Sequence, residues 1–166
     1  VGIDVGVVHA VATSDGRFYD LDTAKIRSIE KRIAGLKRKL SLNQESRKKL
    51  AKLGLAEAFD KKQPSCKRRR LKEKLQKLYR KIRCIRQDFN RKTAHALAQE
   101  YGCVYVEALK VKNMTASVEG TVENPGKNVK QKSGLNRAIL RTGFYSLRQA
   151  IEWQLLKVGG VVIPVD

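Results

Sequence analysis

The sequence predicts an α/β fold in which short apolar strands form a mixed sheet and a long helical segment is inserted between them. Apolar runs rich in β-branched residues stand near both ends of the chain, and isoleucines and leucines recur at helical spacing between them. The predicted order is strands, helices, a strand, a loop, a helix and a final strand. With 166 residues, 42% of them hydrophobic, the chain suits one domain with a modest core.

Five strands are expected in this sheet. Residues 1–8 and 9–13 are apolar, and the dipeptide Asp15-Gly16 that follows supplies the positive φ of a tight hairpin turn. The chain should therefore open with three antiparallel strands. Further apolar runs at residues 103–109 and 161–165 predict two more strands.

Residues 24–100 are predicted to form an antiparallel helical hairpin. Apolar side chains recur there at spacings of three and four in two stretches, which are separated around residues 41–65 by a segment with a glycine and a proline. The second helix should continue to about residue 100, which gives it a length of roughly 45 Å. The apolar positions are Ile26, Ile29, Ile33, Leu36, Leu40, Leu71, Leu75, Leu78, Ile82, Ile85 and Phe89.

The net charge of +20 is concentrated in this hairpin. Residues 24–100 carry 26 basic and 7 acidic side chains, whereas the rest of the chain is nearly neutral. One interpretation is a solvated helix surface, but such surfaces usually mix the two signs, and a cation excess of this size attracts polyanions. We therefore expect binding to nucleic-acid phosphates without base reading. The candidate contacts are Lys67, Arg68, Arg69, Arg70, Arg80, Lys81, Arg83 and Arg86.

A long loop and one helix are predicted in the second half of the chain. Residues 115–134 are polar, with several glycines, serines and lysines, which is typical of a flexible functional loop. A helix is expected from about residue 135 to residue 158, with Ser133 as its cap and Gly143 in its middle. A glycine inside a helix costs about 1 kcal/mol relative to alanine, so Gly143 suggests a close packing contact.

Cysteine spacing and the absence of long apolar runs indicate where the protein works. Cys66, Cys84 and Cys103 are 18 and 19 residues apart, which fits neither a disulfide framework nor a zinc ribbon and indicates reduced thiols. Neither a membrane span nor a secretory signal is encoded, so a cytoplasmic, nucleoid-associated location is expected. Because the chain starts inside one predicted strand and stops directly after another, we expect it to be part of a longer protein.

Two of the predicted strands each contain one carboxylate, and we expect these two strands to be neighbours in the sheet. Asp4 lies in the first strand and Glu107 in the strand at residues 103–109. Acidic residues are depleted from strands and are costly to bury, so each is expected beside a compensating charge, most simply a divalent cation. A metal-binding acidic pair in a strongly basic protein indicates phosphodiester chemistry.

Four motifs occur in an order that resembles a known family. They are Gly2-Ile3-Asp4-Val5-Gly6, Ala12-Thr13-Ser14-Asp15-Gly16, Val106-Glu107-Ala108-Leu109-Lys110-Val111-Lys112-Asn113-Met114 and Lys132-Ser133-Gly134-Leu135-Asn136-Arg137-Ala138-Ile139-Leu140. With basic helices between them, they resemble the OrfB/TnpB family of insertion-sequence transposon proteins. The resemblance implies a RuvC-type, RNase H-like domain of a prokaryotic, RNA-guided DNA endonuclease related to type V CRISPR effectors. DNA and a guide RNA are then the expected partners.

The resemblance also assigns roles to the two acids. It implies that Asp4 is the first catalytic acid and Glu107 the second, and that together they bind two Mg²⁺ ions about 3.5–4 Å apart. The third acid of the family and its Zn²⁺-binding ribbon would lie beyond residue 166. This chain alone is therefore expected to cut DNA poorly or not at all.

Four polar residues near the acids are candidates for phosphate contacts. Lys110 and Lys112 follow the second acidic strand closely, although solvated lysines would look the same in the sequence. Asn136 and Arg137 are expected to open a helix, whose amino end favours an anion. Arg141 stands where the family usually has an aspartate, and we expect it to weaken the nuclease.

Two alternatives belong to other classes of protein. The first is a truncated, catalytically inactive remnant that binds nucleic acid through its basic helices. The second is an actin-like ATPase, whose first phosphate loop also follows an apolar strand with an Asp-x-Gly motif. That fold needs a much longer chain and does not explain the basic hairpin, so it is the weaker alternative.

Overall fold

The computed structural model describes residues 1–53, 65–121 and 123–165. The chain divides into two compact units. Val1–Leu21 and Arg86–Asp166 form the first, here named the sheet unit, and Asp22–Ile85 form the second, named the hairpin unit. The predicted insertion at residues 24–100 extends past the hairpin unit, because the last part of its second helix belongs to the core of the sheet unit.

Five strands form one mixed sheet. They are β1 (Gly2–Asp4), β2 (Val11–Thr13), β3 (Phe18–Tyr19), β4 (Cys103–Glu107) and β5 (Val161–Val165). Their order is β3-β2-β1-β4-β5; the first three are antiparallel neighbours, and β4 and β5 run parallel to β1. This mixed sheet with its helices confirms the predicted α/β class and is compatible with an RNase H-like fold.

The first two strands are shorter than predicted because the chain turns back between them. β1 ends at Asp4 and β2 begins only at Val11. A Cβ atom on Gly6 would lie 2.9 Å from the carbonyl oxygen of His9, so the backbone comes too close to itself here for an extended strand. The hairpin turn at Asp15-Gly16 is confirmed, since the amide of Gly16 donates to the carbonyl of Thr13 at 2.9 Å.

Two long helices, α1 (Thr23–Lys52) and α2 (Cys66–Glu100), confirm the helices predicted between the strands. A short third helix, α3 (Val111–Met114), follows β4. α1 continues through residues 41–52, where the prediction had an interruption, because this stretch contains no glycine or proline and is rich in good helix formers. The predicted break at Gly54 and Pro64 lies outside the described residues.

The apolar stripes of these helices are partly buried within the hairpin unit. Ile26 and Ile33 of α1 and Leu78 and Ile82 of α2 are buried, as the helical spacing predicts. The ammonium nitrogen of Lys37 lies 5.8 Å from the centre of the Tyr79 ring, so the two helices are neighbours at this point.

The helix predicted at residues 135–158 is in fact two helices, and the sequence prediction was wrong here. α4 (Val129–Thr142) and α5 (Phe144–Lys157) are separated by Gly143, whose φ of 73° lies in the left-handed region. Glycine adopts this conformation without steric cost and commonly ends helices. The helix also begins earlier than expected: Ser133 lies inside α4, and the last six residues of the loop predicted at residues 115–134 are helical. The flexibility of the preceding residues stays a prediction.

One face of the sheet packs against helices to form the core. Alternate residues of β1 and β4, such as Ile3, Val104 and Val106, are buried with Leu97 of α2. α4 contributes Ile139 to this cluster, and α5 contributes its apolar stripe. The residues of that stripe are Phe144, Leu147, Ile151 and Leu155. The opposite face of the sheet is more exposed, and Asp4 and Glu107 belong to it.

The three cysteines are free, and Cys66 and Cys84 are exposed, in agreement with the reduced thiols expected from their spacing. Across the described residues, no helix combines the length and apolar character that crossing a membrane requires.

Candidate functional site

The pairing of β1 with β4 brings the two acidic strands together. Gly2 pairs with Tyr105 and Ile3 with Val106 in a parallel register. Continuing this register by one residue sets Asp4 opposite Glu107. Neighbouring strands lie about 4.8 Å apart, so the two carboxylates start from adjacent backbone positions. The structure thus brings together the two residues that the sequence named as acids of one site, although 103 positions separate them in the chain.

The alternation of side chains along the strands directs both acids away from the core. Ile3 and Val106 are 6% and 3% exposed, whereas Asp4 and Glu107 belong to the exposed class. Both acids line one open depression of about 570 Å³ on the uncovered face of the sheet. Its other lining residues are Gly2, Ile3, Ala12, Thr13, Ser14, Tyr105, Val106 and Val165.

Neither Asp4 nor Glu107 is paired with a cation from the described part of the chain. Among the described residues, no lysine, arginine or histidine forms an ion pair with either carboxylate. Like charges on facing strand positions repel each other, so a bound cation would relieve this repulsion.

The two carboxylates of the depression suit a magnesium ion that keeps several of its waters better than one surrounded entirely by protein ligands. No group of three or more histidine, cysteine or acidic side chains that could hold a metal occurs within the described ranges. Mg²⁺ is commonly bound by one or two carboxylates, with waters and substrate phosphates completing its shell. Two adjacent, exposed carboxylates at an open depression suit that mode of binding.

Three lining residues of the depression were not singled out by the sequence analysis. The Ser14 hydroxyl accepts a hydrogen bond from the amide of Gly2 at 3.1 Å, which joins the hairpin turn to β1. Thr13 belongs to β2 and also lines the depression. Tyr105 was detectable in principle, since it stands two residues before Glu107 on the same strand face.

The hairpin turn beside this depression is held to the end of α2 by two polar contacts. The Tyr101 hydroxyl donates to Asp15, and the Arg17 guanidinium pairs with Glu100. Hydrogen bonds from Thr13 and Tyr101 hold the pKa of Asp15 below its ordinary value. The hydrogen bond to Asp15 raises the pKa of Tyr101 to about 12.

Lys110 and Lys112, the predicted phosphate contacts beside the second acid, follow Glu107 closely along the chain. Lys110 precedes the short helix α3 (Val111–Met114), and Lys112 is part of it. Both side chains are exposed, which leaves them accessible to a phosphate near the acids.

Asn136 and Arg137 do not open a helix, so the reason for predicting phosphate contacts there was wrong. Both lie in the interior of α4, because that helix already begins at Val129. The side-chain amide of Asn136 donates to the carbonyls of Thr115 and Ala116, at 2.9 and 3.2 Å. Asn136 therefore ties the segment after α3 to α4, whereas Arg137 is exposed.

Most of the predicted phosphate-binding cations are exposed in the hairpin unit. Of the seven candidates there, only Arg68 is half-buried, and within the described residues none of the seven forms an ion pair with a carboxylate. Arg86 differs from them. It belongs to the sheet unit, is half-buried and donates from Nη1 to the carbonyl of Leu140 at 3.1 Å, which joins α2 to α4.

The fold and the acidic pair are those expected of a transposon-associated nuclease, and comparison with known proteins agrees. The OrfB_IS605 family, described as "Probable transposase", matches residues 1–118, and the chain belongs to this OrfB/TnpB family. It is also similar to a protein of Escherichia coli (strain K12) named "Putative RNA-guided DNA endonuclease InsQ", with 34% identity over 165 residues. That alignment covers 99% of this chain and 36% of the relative, so the chain spans about a third of the relative's length.

Proposed function

We propose that this chain is the RuvC-like catalytic part of a transposon-associated DNA endonuclease that is guided by RNA. The observation that carries the proposal is the parallel register of β1 and β4, which sets Asp4 opposite Glu107 on an exposed sheet face. A pair of acids that only caps turns or ends strands would not need to share one depression.

Each group of residues has a distinct role in this proposal. Asp4 and Glu107 would hold two Mg²⁺ ions, which would supply an activated water and stabilise the charge that develops during phosphodiester hydrolysis. Lys110 and Lys112 neutralise a phosphate beside the acids. The exposed cations of the hairpin unit and Arg137 contact the backbone of DNA or guide RNA, without reading bases.

Metal binding can be tested on this chain without any cleavage. Mn²⁺ replaces Mg²⁺ as a paramagnetic probe, and it should broaden the amide NMR signals around Asp4 and Glu107. Asp4→Asn or Glu107→Gln should abolish this broadening, whereas Glu73→Gln, on an exposed position of α2, should leave it unchanged. Each of the two active-site variants should also melt at a slightly higher temperature without metal, because one of two repelling charges is removed. Broadening that persists in both variants would contradict the metal site.

Cleavage is best tested on the protein encoded by the complete reading frame, with Mg²⁺, guide RNA and target DNA. Each substitution should lower the rate on the order of 100-fold or more, the loss typical when one electrostatic stabiliser of a transition state is removed. Nucleic-acid affinity should stay the same. Unchanged cleavage would rule out a catalytic role for Asp4 and Glu107.

A second candidate function is nucleic-acid binding without cleavage. It is favoured by the finding that no set of three metal-binding side chains occurs in the part of the chain that the structure describes. The same experiment separates the two functions. A complete gene product that binds DNA and RNA tightly but does not cleave under any divalent cation would support the second.

A further inference from the structure

Trp153 is exposed on the outer face of α5, although tryptophan is costly to leave in water. It is 61% exposed and is the one tryptophan in the sequence. It lines a shallow depression of about 530 Å³ between α5 and the last turns of α2, both within the sheet unit. The other lining residues, none of them acidic, are Arg91, Ser146, Gln149, Ala150, Gln154 and Lys157. This Trp153 depression shares no lining residue with the one that contains Asp4 and Glu107.

Cations flank the indole ring. The ammonium nitrogen of Lys157 lies 5.3 Å from the centre of the Trp153 ring, and Arg91 is an exposed cation on α2. The nearby carboxylates are already paired. Glu152 accepts from Nε of Arg148 at 2.8 Å, and Asp88 contacts Nζ of Lys92 at 2.9 Å. The Trp153 depression therefore has a positive character that favours an anionic ligand.

The spacing between the indole and Arg91 is held by hydrogen bonds between the two helices. Asn90, next to Arg91, is 4% exposed and donates from Nδ2 to the hydroxyl of Ser146 at 3.1 Å. That hydroxyl donates in turn to the carbonyl of Gly143 at 2.8 Å. These bonds join α2 to the first turn of α5, so the ring and the guanidinium are presented from packed helices rather than from loops.

We propose that the Trp153 depression is a stacking site for an unpaired nucleotide of a single-stranded nucleic acid. A flat aromatic ring offers a stacking surface to any base. Lys157, whose ammonium lies over the ring, and Arg91, which lines the same depression, attract the adjoining phosphates. The amides of Gln149 and Gln154 have the donors and acceptors to contact a base edge. Bases in a duplex are already stacked on each other, so the site selects unpaired strands. This inference rests on the proposed nucleic-acid function and adds a specific contact to it.

The emission of Trp153 reports directly on this contact, because no other tryptophan contributes to it. The chain is titrated with oligo(dT) and oligo(U) of about 12 nucleotides, a length in the range of single binding folds, and with a duplex of equal length. Labelled copies of the same oligonucleotides report total binding by fluorescence anisotropy. We expect both single strands or one of them to quench Trp153, and the duplex to bind without quenching it. The strand that quenches identifies DNA or RNA as the source of the nucleotide.

Two substitutions at Trp153 distinguish the contribution of an aromatic ring from that of an apolar side chain without a ring. Trp153→Leu should weaken binding of the quenching strand roughly 5- to 150-fold, whereas Trp153→Phe, which keeps an aromatic face, should retain most of the affinity. Leu156→Ala, at a 69% exposed position of the same helix, should have no effect. Arg91→Ala and Lys157→Ala should each reduce the slope of log affinity against log salt by about 0.7.

The outcomes distinguish this inference from the proposed function. Binding of single strands without quenching, or equal losses in Trp153→Leu and Trp153→Phe, would overturn the stacking site and leave the nucleic-acid function intact. Equal quenching by the duplex would also overturn it. If none of the three oligonucleotides binds, both proposals fail for this chain.

Discussion

Replacing Gly143 by alanine should destabilise the protein, although alanine inside a helix normally stabilises it. Gly143 has a φ of 73°, and a residue with a Cβ atom loses about 1–2 kcal/mol in this left-handed conformation. The new Cβ atom would also lie 3.1 Å from Oγ of Ser146. That hydroxyl is held by Asn90 and by the carbonyl of Gly143, so it has little room to move away. We expect a total loss of about 2 kcal/mol in the free energy of unfolding.

Gly134 provides the matched control on the neighbouring helix. It lies inside α4, and apart from the adjacent backbone no atom of the described residues comes within 4 Å of the position that its Cβ atom would take. Gly134→Ala should therefore stabilise the protein by about 1 kcal/mol, since alanine loses less conformational freedom on folding. The same chemical change is thus expected to have opposite signs at two positions of the same region.

Thermal unfolding followed by circular dichroism measures both variants. In a domain of this size, each kcal/mol changes the melting temperature by about 2–4 °C. Gly143→Ala should then melt roughly 4–8 °C lower than the wild type and Gly134→Ala about 2–4 °C higher. Gly143→Asn should lie between Gly143→Ala and the wild type, because asparagine tolerates the left-handed conformation better than alanine.

If residues 135–158 formed one continuous helix, as the apolar spacing alone predicts, Gly143→Ala would raise the stability instead of lowering it. Alanine would then add about 1 kcal/mol of stability at that position. A higher melting temperature for Gly143→Ala would therefore refute the helix break between α4 and α5.

Four further predictions concern the core, the hairpin turn and α4. Leu147→Ala should cost about 2–5 kcal/mol of stability because Leu147 is completely buried, whereas Leu156→Ala should change it by less than about 0.5 kcal/mol; urea denaturation measures both. The lowered pKa of Asp15 contributes stability above its ordinary value of 3.8, and this is lost as the pH falls through the lowered pKa. Asp15→Asn should therefore be less stable than the wild type at pH 7 and approach it in strong acid; a constant difference at all pH values would contradict the pKa shift. The raised pKa of Tyr101 contributes stability that is fully present below its ordinary value of 10.0 and is lost as the pH rises through about 12. In alkaline denaturation, Tyr101→Phe should therefore lack this pH-dependent loss of stability. Asn136→Ala removes two hydrogen bonds to backbone carbonyls, so it should speed proteolysis after α3 without changing nucleic-acid affinity; weaker nucleic-acid binding at unchanged proteolysis would instead favour a phosphate contact.

Much of the secondary structure could be predicted from local patterns in the sequence. The apolar run around Glu107 predicted β4, the Asp15-Gly16 dipeptide predicted the hairpin turn, and the three-and-four spacing predicted α1 and α2. These signals are reliable because each depends on side chains that are close in the chain. The acids were detected for a similar reason, since a carboxylate inside an apolar strand is chemically unusual.

The break at Gly143 could not be predicted from the same patterns. Leu140, Phe144, Leu147, Ile151 and Leu155 continue one helical spacing across the glycine, and spacing carries no information about the sign of φ. The early start of α4 was missed because the residues around Val129 are polar and lack a side-chain cap. The expectation for Asn136 was wrong as a consequence, since it depended on where that helix began.

The sequence by itself determined the kinds of elements, the excess of positive charge and the identity of the two acids, because these properties depend on residue type and local spacing. That the two acidic strands are neighbours was expected from the sequence, but only the tertiary structure decided the register of β1 and β4 that sets Asp4 opposite Glu107. That pairing joins segments about a hundred residues apart, and it is selected by the packing of Ile3, Val104 and Val106 against the helices of the core. A shift by one residue would turn Glu107 into the core and expose its apolar neighbours, so burial of one face fixes the geometry of the acids on the other.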